Sequence, residues 1–121
     1  MIHGIGVDIC NIKRMENAVA RNGFIERVFS DEEIEYSNRD SMSAQHFASS
    51  FAAKEAFSKA TGWGLWKTGL KSCSVKRTSN GPVFVFNDDI RQKLSEAGIK
   101  NVFLSISHDS GVAIAMVILE R

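Results

Sequence analysis

The sequence predicts an α+β fold, a mainly antiparallel sheet packed against one long helix. Three observations carry this prediction. The chain opens in period two, with Ile5, Val7 and Ile9 alternating with Gly4, Gly6 and Asp8. Residues Ser43 to Thr61 place small and apolar side chains at intervals of three and four. The second half alternates strand-like runs with turn signals. The resulting order is strand, three helices, two strands, helix, two strands. At 121 residues the chain suffices for one domain, taken as 1–121.

In the opening strand one face is apolar. The other is bare except for Asp8, and its glycines permit close approach of another group to the backbone. Asn11 can then cap a helix running to Arg21, with Gly23 just past its end. Ile12, Met15 and Val19 form its inward stripe, while Arg14, Asn17 and Arg21 share another face. Ser30 and Glu33 fit a capping box flanked by the staple pair Phe29 and Ile34, which starts a short helix over Asp31 to Ser37. The long helix from Ser43 to Thr61 stops at Gly62, and Gly62-Trp63-Gly64 with Thr68-Gly69 form a loop. Ser72–Arg77 and Val83–Phe86 flank the turn Ser79-Asn80-Gly81-Pro82, a hairpin. Asn87 caps the next helix, Asp88 and Asp89 occupy its first turn, and Gly98 ends it. Val102–Ser107 and Val112–Leu119 pair across Asp109-Ser110-Gly111.

Composition narrows the function. Hydrophobic residues make up 44% and charged residues 24%, the balance of a globular chain. Fifteen Lys and Arg against fourteen Asp and Glu leave a net charge of +1, without the basic excess of a nucleic-acid binder. The longest apolar run, Val112 to Leu119, is too short to span a bilayer. The N-terminal residues show no signal-peptide pattern, and the two cysteines, Cys10 and Cys73, form no disulfide framework. The expectation is a reduced, cytoplasmic protein that binds neither nucleic acid nor membrane.

Three segments are unlike plain core. Asp8 is a lone carboxylate on a glycine-rich strand, where it either caps the following turn or faces a ligand. In Lys54-Glu55-Ala56-Phe57-Ser58-Lys59, Glu55 and Lys59 stand four apart in the order that favours a helical ion pair. They also share a stripe with Phe51, which would leave Glu55 partly buried. Ser105-Ile106-Ser107-His108-Asp109 ends a strand. Its serines, histidine and aspartate are sequence neighbours, unlike a catalytic triad, and His108 reads as a hydrogen-bond donor. The three histidines lack zinc-ligand spacing. Asp8 and Glu55, with lysines nearby, suit Mg²⁺, which takes one or two carboxylates and completes its shell with water and phosphate. No Walker loop or dinucleotide fingerprint is present.

Together these motifs resemble a known family. Gly4-Ile5-Gly6-Val7-Asp8-Ile9 with Arg14, Phe51-Ala52-Ala53-Lys54-Glu55-Ala56-Phe57-Ser58-Lys59-Ala60 followed by Gly62-Trp63-Gly64, Asn80-Gly81-Pro82, and Ser105-Ile106-Ser107-His108 occur in the order found in the bacterial holo-acyl-carrier-protein synthases. On these motifs the chain is identified as a member of the small, single-domain 4'-phosphopantetheinyl transferases. The resemblance implies that family's fold. It also implies transfer of the phosphopantetheine arm of coenzyme A to a serine of apo acyl carrier protein, leaving adenosine 3',5'-bisphosphate, in support of fatty acid biosynthesis. By the same resemblance Asp8 and Glu55 hold Mg²⁺, Glu55 or a water on the ion takes the serine proton, and Lys59 contacts phosphate as a third catalytic residue. Lys54, Ser58, Asn80, Gly81, Pro82, Ser107 and His108 contact coenzyme A, and Arg14 and Arg21 dock the acidic carrier protein. The family forms homotrimers with active sites between neighbours. Two positions depart from its pattern: Ser50, where a basic residue is common, and Gly81, which runs directly into Pro82 where a lysine often intervenes. The rival readings are a non-enzymatic binding module and an acyl-coenzyme A thioesterase.

Overall fold

The computed structural model describes residues 1–64 and 69–121. Thr68, assigned above to a loop, lies outside the described residues. The opening alternation forms β1 (Ile2–Asn11), which pairs antiparallel with β5 (Val112–Glu120); β5 in turn pairs antiparallel with β4 (Asn101–Asp109). The resulting three-stranded sheet has the order β1-β5-β4, and in it Asp8 lies opposite Ala115, which lies opposite Ile106. A separate antiparallel ribbon joins β2 (Cys73–Thr78) to β3 (Gly81–Phe86). Its turn is tighter than expected: Thr78 pairs with Gly81, so Pro82 belongs to β3, opposite Arg77. Gly81 has a φ of 105°, which suits a residue without a Cβ.

The helices follow their caps. Asn11 accepts a hydrogen bond from the Arg14 N–H at 2.9 Å and starts α1 (Ile12–Val19). This helix ends before Arg21, sooner than expected, because the chain turns at Gly23 (φ 81°) into a five-residue helix that the sequence reading missed, α2 (Phe24–Val28). The capping box forms: Ser30 Oγ accepts from the Glu33 N–H at 3.2 Å, and Glu33 Oε1 accepts from the Ser30 N–H at 2.9 Å, opening α3 (Asp31–Ser37). The long helix α4 spans Ser43–Thr61, and Gly62 closes it in the left-handed conformation. A 3₁₀ turn over Leu70–Ser72 precedes β2. Asn87 caps α5 (Asp88–Glu96) through the Ile90 N–H at 3.0 Å.

The core lies between α4 and the three-stranded sheet. Ala52, Ala53, Ala56 and Ala60 meet Ala113, Ala115, Val117 and Leu119, all buried. On β1 it is the glycine face that turns inward, and the contact is tight. A Cβ at Gly6 would lie 1.9 Å from the Ala56 carbonyl oxygen, and one at Gly4 would lie 2.3 Å from that of Ala60. Small residues on both sides let strand and helix nearly touch, and Asp8, next on the same face, is thereby laid over α4. The apolar face of β1 is exposed: Ile5, Val7 and Ile9 are 61%, 48% and 62% accessible. Phe103, Ile114 and Met116 continue this apolar surface across the sheet. On the other side of α4, Phe57 packs on Phe84, Phe86 and Trp63, which seats the β2–β3 ribbon. No helix among the described residues is long and apolar enough to cross a membrane.

Candidate active site

The close approach of β1 to α4 assembles the candidate centre. Lys59, in the last turn of α4, donates to Asp8 Oδ1 at 3.0 Å and to the Val7 carbonyl at 3.1 Å. The i,i+4 pair of Glu55 with Lys59 therefore gives way to a tertiary one, because Asp8 and the adjacent strand carbonyl present two acceptors to one ammonium. The Asp8 side chain is 16% exposed and that of Lys59 56%.

Glu55 is half-buried, as its stripe with Phe51 implied, and has no hydrogen bond or ion pair among the described residues. Burial and, secondarily, the Asp8 charge push its carboxyl above the ordinary glutamate value, and Lys59 only partly opposes them. Two carboxylates with one lysine between them leave a net negative centre made of hard oxygen donors.

Asp8 and Glu55 line a cleft of about 600 Å³. Arg14, Asn17 and Arg21 line the same cleft from α1 and the turn after it, so the shared face expected for these residues holds even though Arg21 lies beyond the helix. Phe51, Met15 and Phe24 supply its apolar wall, and Arg21 stacks over Phe24 at 5.3 Å. Met15 and Phe24 escaped the sequence reading of the site. Met15 was assigned to the core, and the signal that places Phe24 is Gly23, which turns α2 back toward α1. Lys13, next to Arg14 in sequence, pairs with Glu16 at 3.1 Å on the exposed side. Cys10 also lines the cleft, and burial beside Asp8 pushes its thiol up to about 11, which leaves it a poor nucleophile.

The remaining expected site residues fall elsewhere. Lys54 is fully buried: its ammonium meets Glu33 Oε1 at 2.8 Å and donates to the Leu70 and Cys73 carbonyls at 2.9 and 2.7 Å. All three of its donors are taken, so its expected role as a phosphate contact gives way to that of an internal tie between α3, α4 and the start of β2. Ser58 is half-buried on α4, and its carbonyl accepts from Gly62. His108 stands at the end of β4 with Nε2 3.3 Å from Gln45 Nε2. Ser107 is exposed on β4, opposite Ile114 in the register. Asn80, Gly81 and Pro82 form the tip of the ribbon, where Thr78 Oγ1 receives the Asn80 N–H at 3.2 Å and donates to the Gly81 carbonyl at 2.6 Å. None of these seven residues lines the cleft of Asp8 and Glu55. Among the described residues no group of three or more His, Cys, Asp or Glu side chains is placed to hold a metal, so Asp8 and Glu55 act as a pair of ligands or not at all.

The site is thus a carboxylate pair and a lysine over the long helix of an α+β chain, open to a cleft edged by two arginines. Residues 4–117 match the family model of the 4'-phosphopantetheinyl transferase superfamily. The holo-(acyl-carrier-protein) synthase of Geotalea daltonii is 40% identical over 126 residues, covering all of both chains. The crystal structure of the Neisseria meningitidis holo-(acyl-carrier-protein) synthase superposes with a TM-score of 0.91 at 32% identity, again over all of both chains. That of the Helicobacter pylori synthase, in complex with coenzyme A, superposes with a TM-score of 0.82 at 32% identity over 96% of this chain and 99% of its own. The chain belongs to the 4'-phosphopantetheinyl transferase superfamily.

Proposed function

We propose that residues 1–121 act as a single-domain holo-acyl-carrier-protein synthase, moving the 4'-phosphopantetheine arm of coenzyme A to a serine of apo acyl carrier protein in support of fatty acid biosynthesis. The observation that carries this reading is the convergence of Asp8, Glu55 and Lys59 on a cleft bordered by Arg14 and Arg21. In the transfer the serine oxygen bonds to the phosphorus of the phosphopantetheine arm. The bond from that phosphorus to the bridging oxygen breaks, and adenosine 3',5'-bisphosphate leaves. Such a reaction needs positioning and charge neutralisation more than covalent chemistry from the enzyme.

The donor set fits Mg²⁺: two carboxylates on separate elements, one of them unpaired among the described residues, leave the rest of the shell to water and phosphate oxygens. Asp8 and Glu55 would hold the ion, which supplies charge neutralisation at the pyrophosphate. Glu55 accepts the serine proton at a carboxylate oxygen. Lys59 turns its ammonium from Asp8 toward phosphate oxygens and stabilises the charge that grows on the leaving group. Arg14 and Arg21 attract the acidic carrier protein, with an encounter rate that falls as salt rises. On this reading the reaction takes place in the cytoplasm.

That His108 and the Asn80–Pro82 tip do not line the cleft supports a homotrimer in which coenzyme A lies between neighbours. One subunit contributes Asp8, Glu55 and Lys59, and the next contributes Asn80, Gly81, Pro82, Ser107 and His108. The exposed apolar sheet face supports the same assembly. The test is to incubate the protein with apo carrier protein, coenzyme A and Mg²⁺ and to weigh the carrier protein. The expected result is a gain of one phosphopantetheine per carrier protein, lost in Asp8→Ala. An unchanged mass with well-folded wild-type protein would remove the proposal in favour of a binding module.

A further inference from the structure

A second cationic centre lies one stripe around α4 from the cleft. His46, Ser50 and Lys54 recur at four, and the stripe Phe51, Glu55, Lys59 is displaced from theirs by one residue, or about 100°. Facing the first stripe, the ring of Tyr36 at the end of α3 carries two guanidinium groups, Arg39 at 4.6 Å and Arg77 of β2 at 4.9 Å from its centroid. The His46 ring meets Tyr36 edge-on at 4.9 Å. Arg77 has no carboxylate partner among the described residues, and its Nη2 is buried without a hydrogen bond. Ser37 Oγ, in the same last turn of α3, is buried and equally unpartnered.

The charges here do not cancel. Glu33 is neutralised by Lys54. Asp40 serves His46 at 3.0 and 3.3 Å and Arg39 at 3.6 Å. One guanidinium charge is left over, in Arg77. Stacking on Tyr36 occupies the face of a guanidinium and leaves its in-plane N–H edge free, the edge that takes two oxygens of a phosphate at once. A buried, unsatisfied donor is costly unless something fills it.

We propose that the junction between the end of α3 and β2 is a binding site for a phosphate dianion, with Arg77 as its main ligand and Arg39 as the second. The site goes beyond the transfer reaction proposed above and uses none of its carboxylates. The group bound is either free phosphate or the terminal monoester of a nucleotide.

Tyr36 is the one tyrosine of the chain, so protein labelled with 3-fluorotyrosine gives a single ¹⁹F resonance at this junction. Titrating inorganic phosphate into metal-free full-length protein should move that resonance saturably. Arg77→Gln should weaken the response by about tenfold or more, the loss of charged hydrogen bonds. Arg77→Lys, which keeps the charge and the fold but not the fork, should fall between. A midpoint unchanged in both variants, or no shift up to tens of millimolar phosphate, overturns the proposal. If coenzyme A titrates more tightly than its 3'-dephospho form and Arg77→Gln erases the difference, the nucleotide monoester is the ligand. If the two titrate alike while phosphate binding depends on Arg77, the ligand is free phosphate. The titration involves neither Mg²⁺ nor carrier protein, so its outcome is independent of the transfer assay.

Discussion

Asp8 and Glu55 face one cleft but are held differently. Asp8 accepts a hydrogen bond from Lys59, whereas Glu55 has no hydrogen bond or ion pair among the described residues and holds its proton more tightly than an ordinary glutamate. This sets the sign of a stability change. A carboxyl whose value is raised in the folded state favours folding while protonated, and that advantage is lost as pH rises from the ordinary value through the raised one. Above that window ionised Glu55 destabilises the metal-free protein. Glu55→Gln should therefore raise the thermal midpoint at pH 7 in chelator, leave it unchanged well below pH 4.5, and abolish transfer. Calorimetry at the two pH values checks the first two statements. A midpoint lowered at pH 7 would mean that Glu55 has a stabilising partner. Both carboxylates were legible in the sequence, Asp8 as the one polar group on a bare strand face and Glu55 from its stripe with Phe51. The partner of Lys59 was not, because spacing along a helix cannot register an acceptor brought in by a distant strand.

Between elements, two contacts fix where the centre stands. The first is β1 on α4. Gly6→Ala drives a methyl against the Ala56 carbonyl, at 1.9 Å before any shift. Backbone on backbone has no flexible end to yield, so the loss should be about 3 kcal/mol or more. That corresponds to a thermal midpoint lower by roughly 10 °C or more, read in a simple melt. The second is the Lys54–Glu33 pair, which also secures the Val75 N–H on Glu33 Oε2 at 2.8 Å. Lys54→Met leaves a buried, unpaired carboxylate and should cost about 3–5 kcal/mol. Adding Glu33→Gln should recover part of it, since the buried charge is removed while the amide oxygen still accepts from one of the two N–H groups, that of Ser30 or that of Val75. Had Lys54 been a phosphate contact, Lys54→Met would raise the KM for coenzyme A and spare stability. The bounds of α4 and the caps at Asn11, Ser30 and Asn87 were readable because they depend on neighbouring residues. The burial of Lys54 was not, because it depends on Glu33 and two carbonyls from beyond α4. The helix α2 was missed because five residues carry too little periodicity to register.

At the scale of the whole molecule, one sheet face is left uncovered among the described residues. On the C-terminal strand Ala113, Ala115, Val117 and Leu119 face α4, while Ile114 and Met116 look outward. In the proposed homotrimer this surface is covered by further copies of the chain, and a three-fold ring lets one subunit's cleft meet the next subunit's ribbon tip through a repeated head-to-tail contact. Ile114 lies on the central strand of this face and is 39% exposed. Ile114→Glu should therefore spare the fold but place an unpaired charge in each contact. Sedimentation should give three subunits for the wild type and one for the variant, with transfer lost and the circular dichroism of the wild type retained. A second measurement tests whether the site is shared. Asp8→Ala and His108→Ala lie on opposite sides of the proposed contact, so each homotrimer should be impaired at all of its sites. Unfolding and refolding an equal mixture gives random trimers in which about a quarter of the contacts join an intact Asp8 to an intact His108. Transfer in the refolded mixture should rise to that fraction of wild type. If it stays at the mean of the two parents, both residues serve the same subunit's site and the shared-site arrangement is wrong.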